Sequence, residues 1–145
     1  MTFEDAMSAL GAELGFELAV VDGRVRIEAS GADDDDIVVE MSDMPNAGAA
    51  LLSSDIGETG SAETLKSLLE ANHLFGETAG ATLSAEDGRI YFERYVPFSV
   101  IGRGEGSDAV KAFVVDACDW RRRLDGAADA SGLPVPPDTA GFMQV

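Results

Sequence analysis

The sequence predicts an α+β domain in which a twisted antiparallel sheet of about five to six strands packs against three helices. Apolar residues recur at helical spacing in three separate segments, and two alternating apolar runs fold back at Asp-Gly pairs, which favour tight hairpins. Strands joined by such hairpins pair antiparallel. The predicted order is therefore one helix, three or four strands, a second helix, two strands and a third helix.

The first helix is predicted at residues 3–14. Thr2 can cap its N-terminus, Asp5 lies in its first turn, and Gly15 stands where a C-terminal glycine is favoured. The apolar stripe of this helix has the spacing that buries one face against a core, and it consists of Phe3, Ala6, Met7, Leu10 and Leu14.

Up to four strands are predicted before the second helix. The runs at 16–21 and 24–29 flank Asp22-Gly23 and should pair with each other as the first hairpin. Further strands are expected at 37–41 and 49–53, and the sequence DIGETG that follows is interpreted as a loop. The strand count before the second helix stays open between three and four.

The second helix is predicted from its cap, Ser61, to about Asn72. Its single apolar stripe is formed by Leu65, Leu68 and Leu69. A helix this short is marginally stable unless its apolar face packs against another surface, either in the same chain or in a second subunit.

The second hairpin turns at Asp87-Gly88, and Pro97 should end its second strand because proline cannot donate to a strand ladder. A linker that includes GRGEG, interpreted as a hinge, leads to a third helix from Ser107 to about Gly126. Residues 1–126 are thus predicted to form one domain. Residues 127–145, rich in Pro, Gly and Ala, are predicted to be a flexible tail.

Charge is the unusual bulk property of this chain. Its 145 residues include 10 basic and 27 acidic side chains, a formal net charge of −17. Such a surface repels nucleic acid phosphates and anionic membranes, whereas it favours solubility and basic partners. The single cysteine, the acidic N-terminus and the lack of a long apolar run together predict a soluble cytoplasmic protein.

No residue pattern in the chain indicates catalysis or metal binding. The only histidine, His73, follows the second helix, where a capping or surface role is favoured. Cys118 lies among apolar residues of the third helix and is interpreted as a buried thiol. The run Asp33–Asp36 lacks the spacing of a calcium loop and is interpreted as a solvated loop that protects a strand edge. The sequence therefore predicts no enzyme, metal or cofactor.

The stretch TLKSLLEANHLFGETAGATLSAEDGRIYFERYVPF resembles the middle of the class I type III secretion chaperones, the Tir chaperone family. MTFEDAMSALGAELGFEL resembles the first helix and strand of that family, and FVVDACDWRRRL its last helix, so the resemblance covers roughly residues 3–124. The positions of the middle stretch that fall on the family pattern are Leu68, Leu69, Asn72, Gly80, Leu83, Gly88 and Ile90.

The resemblance implies a bacterial homodimer that binds the extended N-terminal segment of a secreted effector without nucleotide and keeps it soluble and competent for export. The equivalent of the second helix contributes to the subunit interface in that family. Leu65, Leu68 and Leu69 are therefore expected at a dimer interface, the alternative being packing within one chain.

An extended client can add a strand to a sheet edge while its alternate side chains fill apolar pockets. Such pockets could be supplied by Phe3, Met7, Val20, Val25 and Ile27, all of which could equally be ordinary core. Two other hypotheses stay open: an acidic adaptor or regulatory protein of the same fold that binds a folded basic partner, and a small enzyme that uses scattered carboxylates.

Overall fold

A computed structural model describes residues 1–31, 35–60, 70 and 81–130 of the chain. The fold is α+β, with a five-stranded antiparallel sheet and three helices in the described part. In chain order the elements are α1 (Phe3–Leu14), β1 (Arg24–Ser30), β2 (Asp36–Met44), β3 (Ala49–Glu58), β4 (Thr82–Glu86), β5 (Arg89–Pro97), α2 (Phe98–Gly102) and α3 (Gly106–Ala130).

Helix α1 has the bounds and both caps that the sequence predicts. The Asp5 N–H donates to Thr2 Oγ1 at 3.1 Å, and the Thr2 N–H donates back to Asp5 Oδ2 at 3.0 Å, which forms a capping box. These bonds to Thr2 lower the pKa of the Asp5 carboxyl. Gly15 ends the helix in the left-handed conformation with φ of 85°, and its N–H donates to the Gly11 carbonyl.

The strands lie in the order β1-β2-β3-β5-β4, and every neighbouring pair is antiparallel. Both predicted Asp-Gly turns are present, and at Asp22-Gly23 and Asp87-Gly88 all four residues have positive φ, as a tight two-residue hairpin turn requires. Strand β5 ends at Pro97, as predicted. In this order β1 and β4 are the two edges of the sheet.

The core lies between one face of the sheet and the three described helices. Ile90 and Phe92 of β5 are fully buried there, whereas Tyr91 and Tyr95 point to the opposite face, as the strand alternation predicts. Phe113 of α3 packs against Phe92 with ring centroids 5.3 Å apart. Helix α1 contributes Phe3, Ala6, Met7 and Leu10 to the same apolar cluster.

The prediction of a strand at 16–21 is wrong. Only Val21 bridges to Arg24, across the Asp22-Gly23 turn, and residues 17–20 form no strand. The chain instead leaves α1 through Gly15 and crosses close to the helix, where the Phe16 N–H donates to the Gly11 carbonyl at 3.1 Å. Packing of Leu18 into the core, where it is 8% exposed, draws this segment away from β1.

The prediction that DIGETG is a loop is also wrong, since β3 continues to Glu58 and pairs with β5 throughout. A β-bulge between Asp55 and Gly57 absorbs one extra residue, and Gly57 adopts φ of 146°, which favours glycine. The bulge keeps Ile56 buried in the core while the strand reaches Glu58. Glycine in a strand marked an irregularity here, not the end of the strand.

The predicted linker after Pro97 contains the short helix α2. Helix α3 begins at Gly106, one residue before the predicted cap, and Ser107 is not its cap. The Ser107 N–H donates to Glu13 Oε2 of α1 at 2.8 Å, so a carboxylate from a distant helix satisfies a free amide of this N-terminus. The GRGEG segment forms a turn in which Arg103 and Glu105 pair at 2.9 Å.

Helix α3 extends to Ala130, four residues beyond the predicted end at Gly126. The predicted helix at 61–72 lies outside the described residues, except for Glu70, which is helical and exposed. The predicted tail from 131 onwards lies outside them as well. The division into a domain at 1–126 and a tail at 127–145 therefore stays a prediction.

Candidate functional site at a sheet edge and a groove beside the first helix

The outer edge of β1 has no strand paired with it in the described part of the chain. Arg24 exchanges two backbone hydrogen bonds with Val21, so its N–H and carbonyl point outward, away from β2. Because successive residues of a strand alternate in direction, the N–H groups of Arg26 and Glu28 point the same way. These outward amides are the groups to which an added strand would bind.

A groove of about 520 Å³ lies between α1 and the segment that follows it. Glycine at position 11 brings that segment close, since a Cβ at this position would lie 2.7 Å from the Phe16 carbonyl oxygen. Phe16 is 50% exposed beside the groove. The lining residues are Glu4, Met7, Ser8, Gly11, Ala12, Gly15, Phe16, Glu17 and Leu18.

Among the described residues that line this groove, the only charged side chains are those of Glu4 and Glu17, both negative. Phe16, which is half-exposed, supplies apolar surface, whereas Met7 and Leu18 are nearly buried at its base. The groove therefore suits apolar side chains of a partner that carries basic or neutral neighbours, and not an acidic segment.

The five predicted client-binding residues lie on α1, on β1 and on the segment between them, at different depths. Phe3, Met7 and Val25 are buried in the core cluster, so only Met7 also reaches the groove. Val20 and Ile27 are half-buried and pack against the cluster. The contribution of all five to client binding stays a prediction, with core packing as the alternative for the three buried side chains.

The other predicted functional residues cannot be placed. Leu65, Leu68 and Leu69, predicted for the dimer interface, lie outside the described residues, as does His73. Sequence reasoning missed Phe16, Glu4 and Glu17 as groove residues. The one signal in the sequence is Phe16, an apolar residue directly after Gly15 at the end of α1, but the alternating pattern assigns Phe16 to a strand.

The acidic loop is described at Asp35 and Asp36, and it is packed on α3. Arg122 pairs with the Asp35 carboxylate at 2.8 Å, and Arg121 donates to the Asp36 carbonyl at 2.8 Å. Ser30 Oγ donates to the Asp36 carboxylate at 2.7 Å across the β1–β2 pair. This part of the loop is therefore held by arginines and does not serve only as a solvated guard.

Cys118 is buried, as predicted, and lies under the same loop. A Cβ on Gly31 would stand 2.9 Å from its sulfur, so the close approach of the loop depends on that glycine. Burial raises the pKa of the Cys118 thiol, because the thiolate would lose its hydration. The thiol thus behaves as an apolar core group and not as a nucleophile.

We expect Cys118 in the folded protein to react with a thiol reagent at pH 8 on the order of a hundredfold more slowly than in urea. Its raised pKa also means that folding stability is fully present below the thiol's unfolded pKa and is lost as the pH rises through the folded pKa. Absorbance during labelling with a disulfide dye measures the reaction rate of Cys118 in the folded protein and in urea. Equal rates in the two conditions would contradict a buried thiol.

Among residues 1–31, 35–60, 70 and 81–130, no group of three or more His, Cys, Asp or Glu side chains is placed to hold a metal ion. No helix in the same residues is both long and apolar enough to cross a membrane.

No family model and no curated protein sequence matches the chain. Three solved structures share its fold. One is a HopA1–SchA chaperone–effector complex, with a TM-score of 0.57, 15% identity, and coverage of 83% of this chain and 90% of the other. The second is the ExsC–ExsE complex, with a TM-score of 0.57, 9% identity, and coverage of 81% and 86%.

The third is the Yersinia pestis type III secretion chaperone SycH in complex with a stable fragment of YscM2. Its TM-score is 0.51 at 18% identity, and the match covers 78% of this chain and 98% of that chain. At identities of 9–18% these likenesses establish a common fold over most of each chain. This protein therefore has the α+β fold found in chaperones that have been solved with bound protein partners.

Proposed function

We propose that this protein is a cytoplasmic type III secretion chaperone of class I, the Tir chaperone type, that binds an extended N-terminal segment of a secreted effector. It acts as a homodimer, without nucleotide, cofactor or catalysis. The observation that carries this proposal is the unpaired outer edge of β1 in a fold shared with a chaperone–effector complex, supported by the groove between α1 and the segment that follows it.

The proposed binding mode uses backbone and side chains together. An extended client pairs with the outward N–H and carbonyl groups of Arg26 and Glu28, which gives affinity that does not depend on the client sequence. The client then continues along the segment at 16–21 towards the groove, where its apolar side chains contact the half-exposed Phe16. Val20 and Ile27, half-buried at the start of this path, supply further apolar contact.

The acidic surface supports the same function. A chain with a net charge of −17 stays soluble while it exposes apolar groups, and it attracts clients that carry basic residues. Dimerisation through Leu65, Leu68 and Leu69 is part of the proposal, because two subunits double the edge and groove available to one client.

The test is a pair of variants at one position of the β1 edge. Glu28→Pro removes an outward N–H and leaves the ladder with β2 in place, whereas Glu28→Ala keeps that N–H. We expect Glu28→Pro to weaken client binding about tenfold through the lost bond and the ring at the edge, and Glu28→Ala to bind as the parent does.

The measurement is affinity for purified N-terminal segments of candidate effectors from the same genome, with circular dichroism as the check that both variants fold. Equal affinity of the two variants would refute strand addition at β1. Failure of the parent protein to bind any such segment, together with binding to a folded basic protein, would favour the acidic adaptor instead.

A further inference from the structure

Backbone pairing at the outer edge of β1 does not by itself fix the alignment of an added strand. N–H and carbonyl groups bond to any client sequence, so a strand can shift along β1 by two residues and form its hydrogen bonds again. A shift by one residue turns the opposite face of the client strand towards the core. A client that is held in one alignment therefore depends on a side-chain contact at this edge.

Arg26 is placed to make that contact. The side chains of β1 alternate between the core, where Val25 is 1% exposed, and the opposite face of the sheet, where Arg26 is exposed. The backbone of Arg26 points outward, so this residue lies directly beside the position of an added strand. The client residue opposite Arg26 would point to the same face, with the two Cβ atoms about 4.5–5.5 Å apart.

The guanidinium of Arg26 has no hydrogen-bonding or ionic partner among residues 1–31, 35–60, 70 and 81–130. Glu40 of β2 stands directly across from it, but the Glu40 carboxylate is bound by Arg24 at 3.0 Å. Arg26 is therefore available to the carboxylate of an incoming strand. The arginines of the described part that do pair with carboxylates are Arg24, Arg89, Arg94, Arg103 and Arg122.

The residues on either side of Arg26 restrict where an acid fits. Glu28 is exposed on the same face about 7 Å further along β1, and it repels a carboxylate that is displaced by two residues. On the other side, the outward N–H and carbonyl of Arg24 are bonded to Val21, so an added strand cannot pair there. A client acid is thus favoured opposite Arg26 and disfavoured opposite Glu28.

The client residue next to that acid would lie on the core side of β1. Ile27 and Ala29 are half-buried on that side and pack against the core cluster. An apolar client side chain beside them would cover the apolar surface that these two residues leave accessible to water. The edge of β1 therefore fits an acid that directly adjoins an apolar residue.

We propose that Arg26 selects client segments that carry an Asp or Glu next to an apolar residue, and that it fixes their alignment on β1. The inference rests on the proposed function and adds the chemical class of the client at this edge. Selectivity comes from attraction at Arg26 together with repulsion at Glu28. The client is then recognised in two parts, because the groove beside α1 suits basic or neutral neighbours whereas the β1 edge takes an acid.

Selection from a displayed library of random twelve-residue peptides tests this preference without a known effector. The baits are the parent protein and its Arg26→Glu, Arg26→Gln and Lys111→Glu variants. Lys111 is exposed on α3, so its substitution makes the same change in net charge as Arg26→Glu but away from β1. We expect the parent and Lys111→Glu to enrich an acid next to an apolar residue, Arg26→Glu to enrich Lys or Arg at that position, and Arg26→Gln to enrich neither sign.

A double-mutant cycle then measures the contact directly, with one peptide selected by the parent protein and a version with lysine in place of its acid. We expect Arg26→Glu to bind the acidic peptide about three- to tenfold more weakly and to recover most of that loss with the lysine peptide. A purely structural role of Arg26 would give no such recovery. The difference should shrink as salt rises, because both charges are exposed.

The possible outcomes separate this inference from the proposed function. If the parent protein selects no peptide, or if its selected peptides bind Glu28→Pro unchanged, binding of extended segments at β1 fails and the role of Arg26 fails with it. If Glu28→Pro loses the peptides while Arg26→Glu still selects the same acid as the parent, only the role of Arg26 is refuted.

Discussion

Phe113→Ala is expected to destabilise the fold by about 3–5 kcal/mol, the range for removal of a fully buried aromatic ring. Phe113 has no exposed surface and packs on Phe92 at 5.3 Å between ring centroids, where α3 meets the sheet. Since small domains have about 5–15 kcal/mol of total stability, this one change should remove a large part of it. Urea unfolding followed by circular dichroism measures the difference.

The matched control is Val115→Ala on the same helix. Val115 is 48% exposed, so its truncation should cost less than about 1 kcal/mol. If the two substitutions had similar effects, α3 would not be packed on the sheet through Phe113, and the core as described would be incorrect.

Gly11→Ala is expected to destabilise the protein by about 1–3 kcal/mol, although alanine is about 1 kcal/mol better than glycine inside a helix. The added methyl would stand 2.7 Å from the Phe16 carbonyl oxygen, a backbone atom that can move only if the whole segment at 16–18 moves. The same displacement alters the groove, so we also expect weaker client binding. Thermal unfolding and client affinity together measure both effects.

Ser8→Ala is the matched control for this substitution. Ser8 is exposed on α1 and lies in the same groove, so the change gains helix propensity without a clash. We expect it to stabilise the protein by a few tenths of a kcal/mol. A stabilising effect of Gly11→Ala as well would mean that the close crossing of residues 16–18 over α1 does not exist in solution.

Local signals in the sequence were sufficient wherever one physical cause dominated. The ends of α1 are predicted correctly from Thr2, Asp5 and Gly15, because capping residues act within a single turn. Both Asp-Gly pairs turn as predicted because their positive φ angles fix the geometry of a two-residue hairpin. Pro97 ended its strand because it has no amide to donate.

Competition between distant parts of the chain could not be read from local patterns. The run at 16–21 alternates like a strand, yet Leu18 packs into the core and residues 17–20 do not pair with β1. Likewise, the glycine in DIGETG is accommodated as a bulge because β5 is long enough to continue pairing. In both cases the outcome depended on contacts with elements far away in sequence.

The free edge of β1 could not be predicted because the sequence pattern placed a strand at 16–21 beside it. A strand at 16–21 would have covered the outer edge of β1, so a sequence-based fold leaves no free amides at Arg26 and Glu28. Phe3, Met7 and Val25, which were predicted to form client pockets, are buried in the core, since apolar spacing identifies a buried stripe without telling how far from solvent it lies; their role in client binding stays a prediction.

The bond from Ser107 to Glu13 joins residues 94 positions apart, and it has a consequence for biosynthesis. The first helix rests largely on elements that leave the ribosome last, so it cannot dock while the chain is being made. Until residue 107 has emerged, the apolar stripe of Phe3, Met7 and Leu10 stays uncovered. Translation of this chain would therefore leave that stripe exposed to other proteins until the start of α3 has been made.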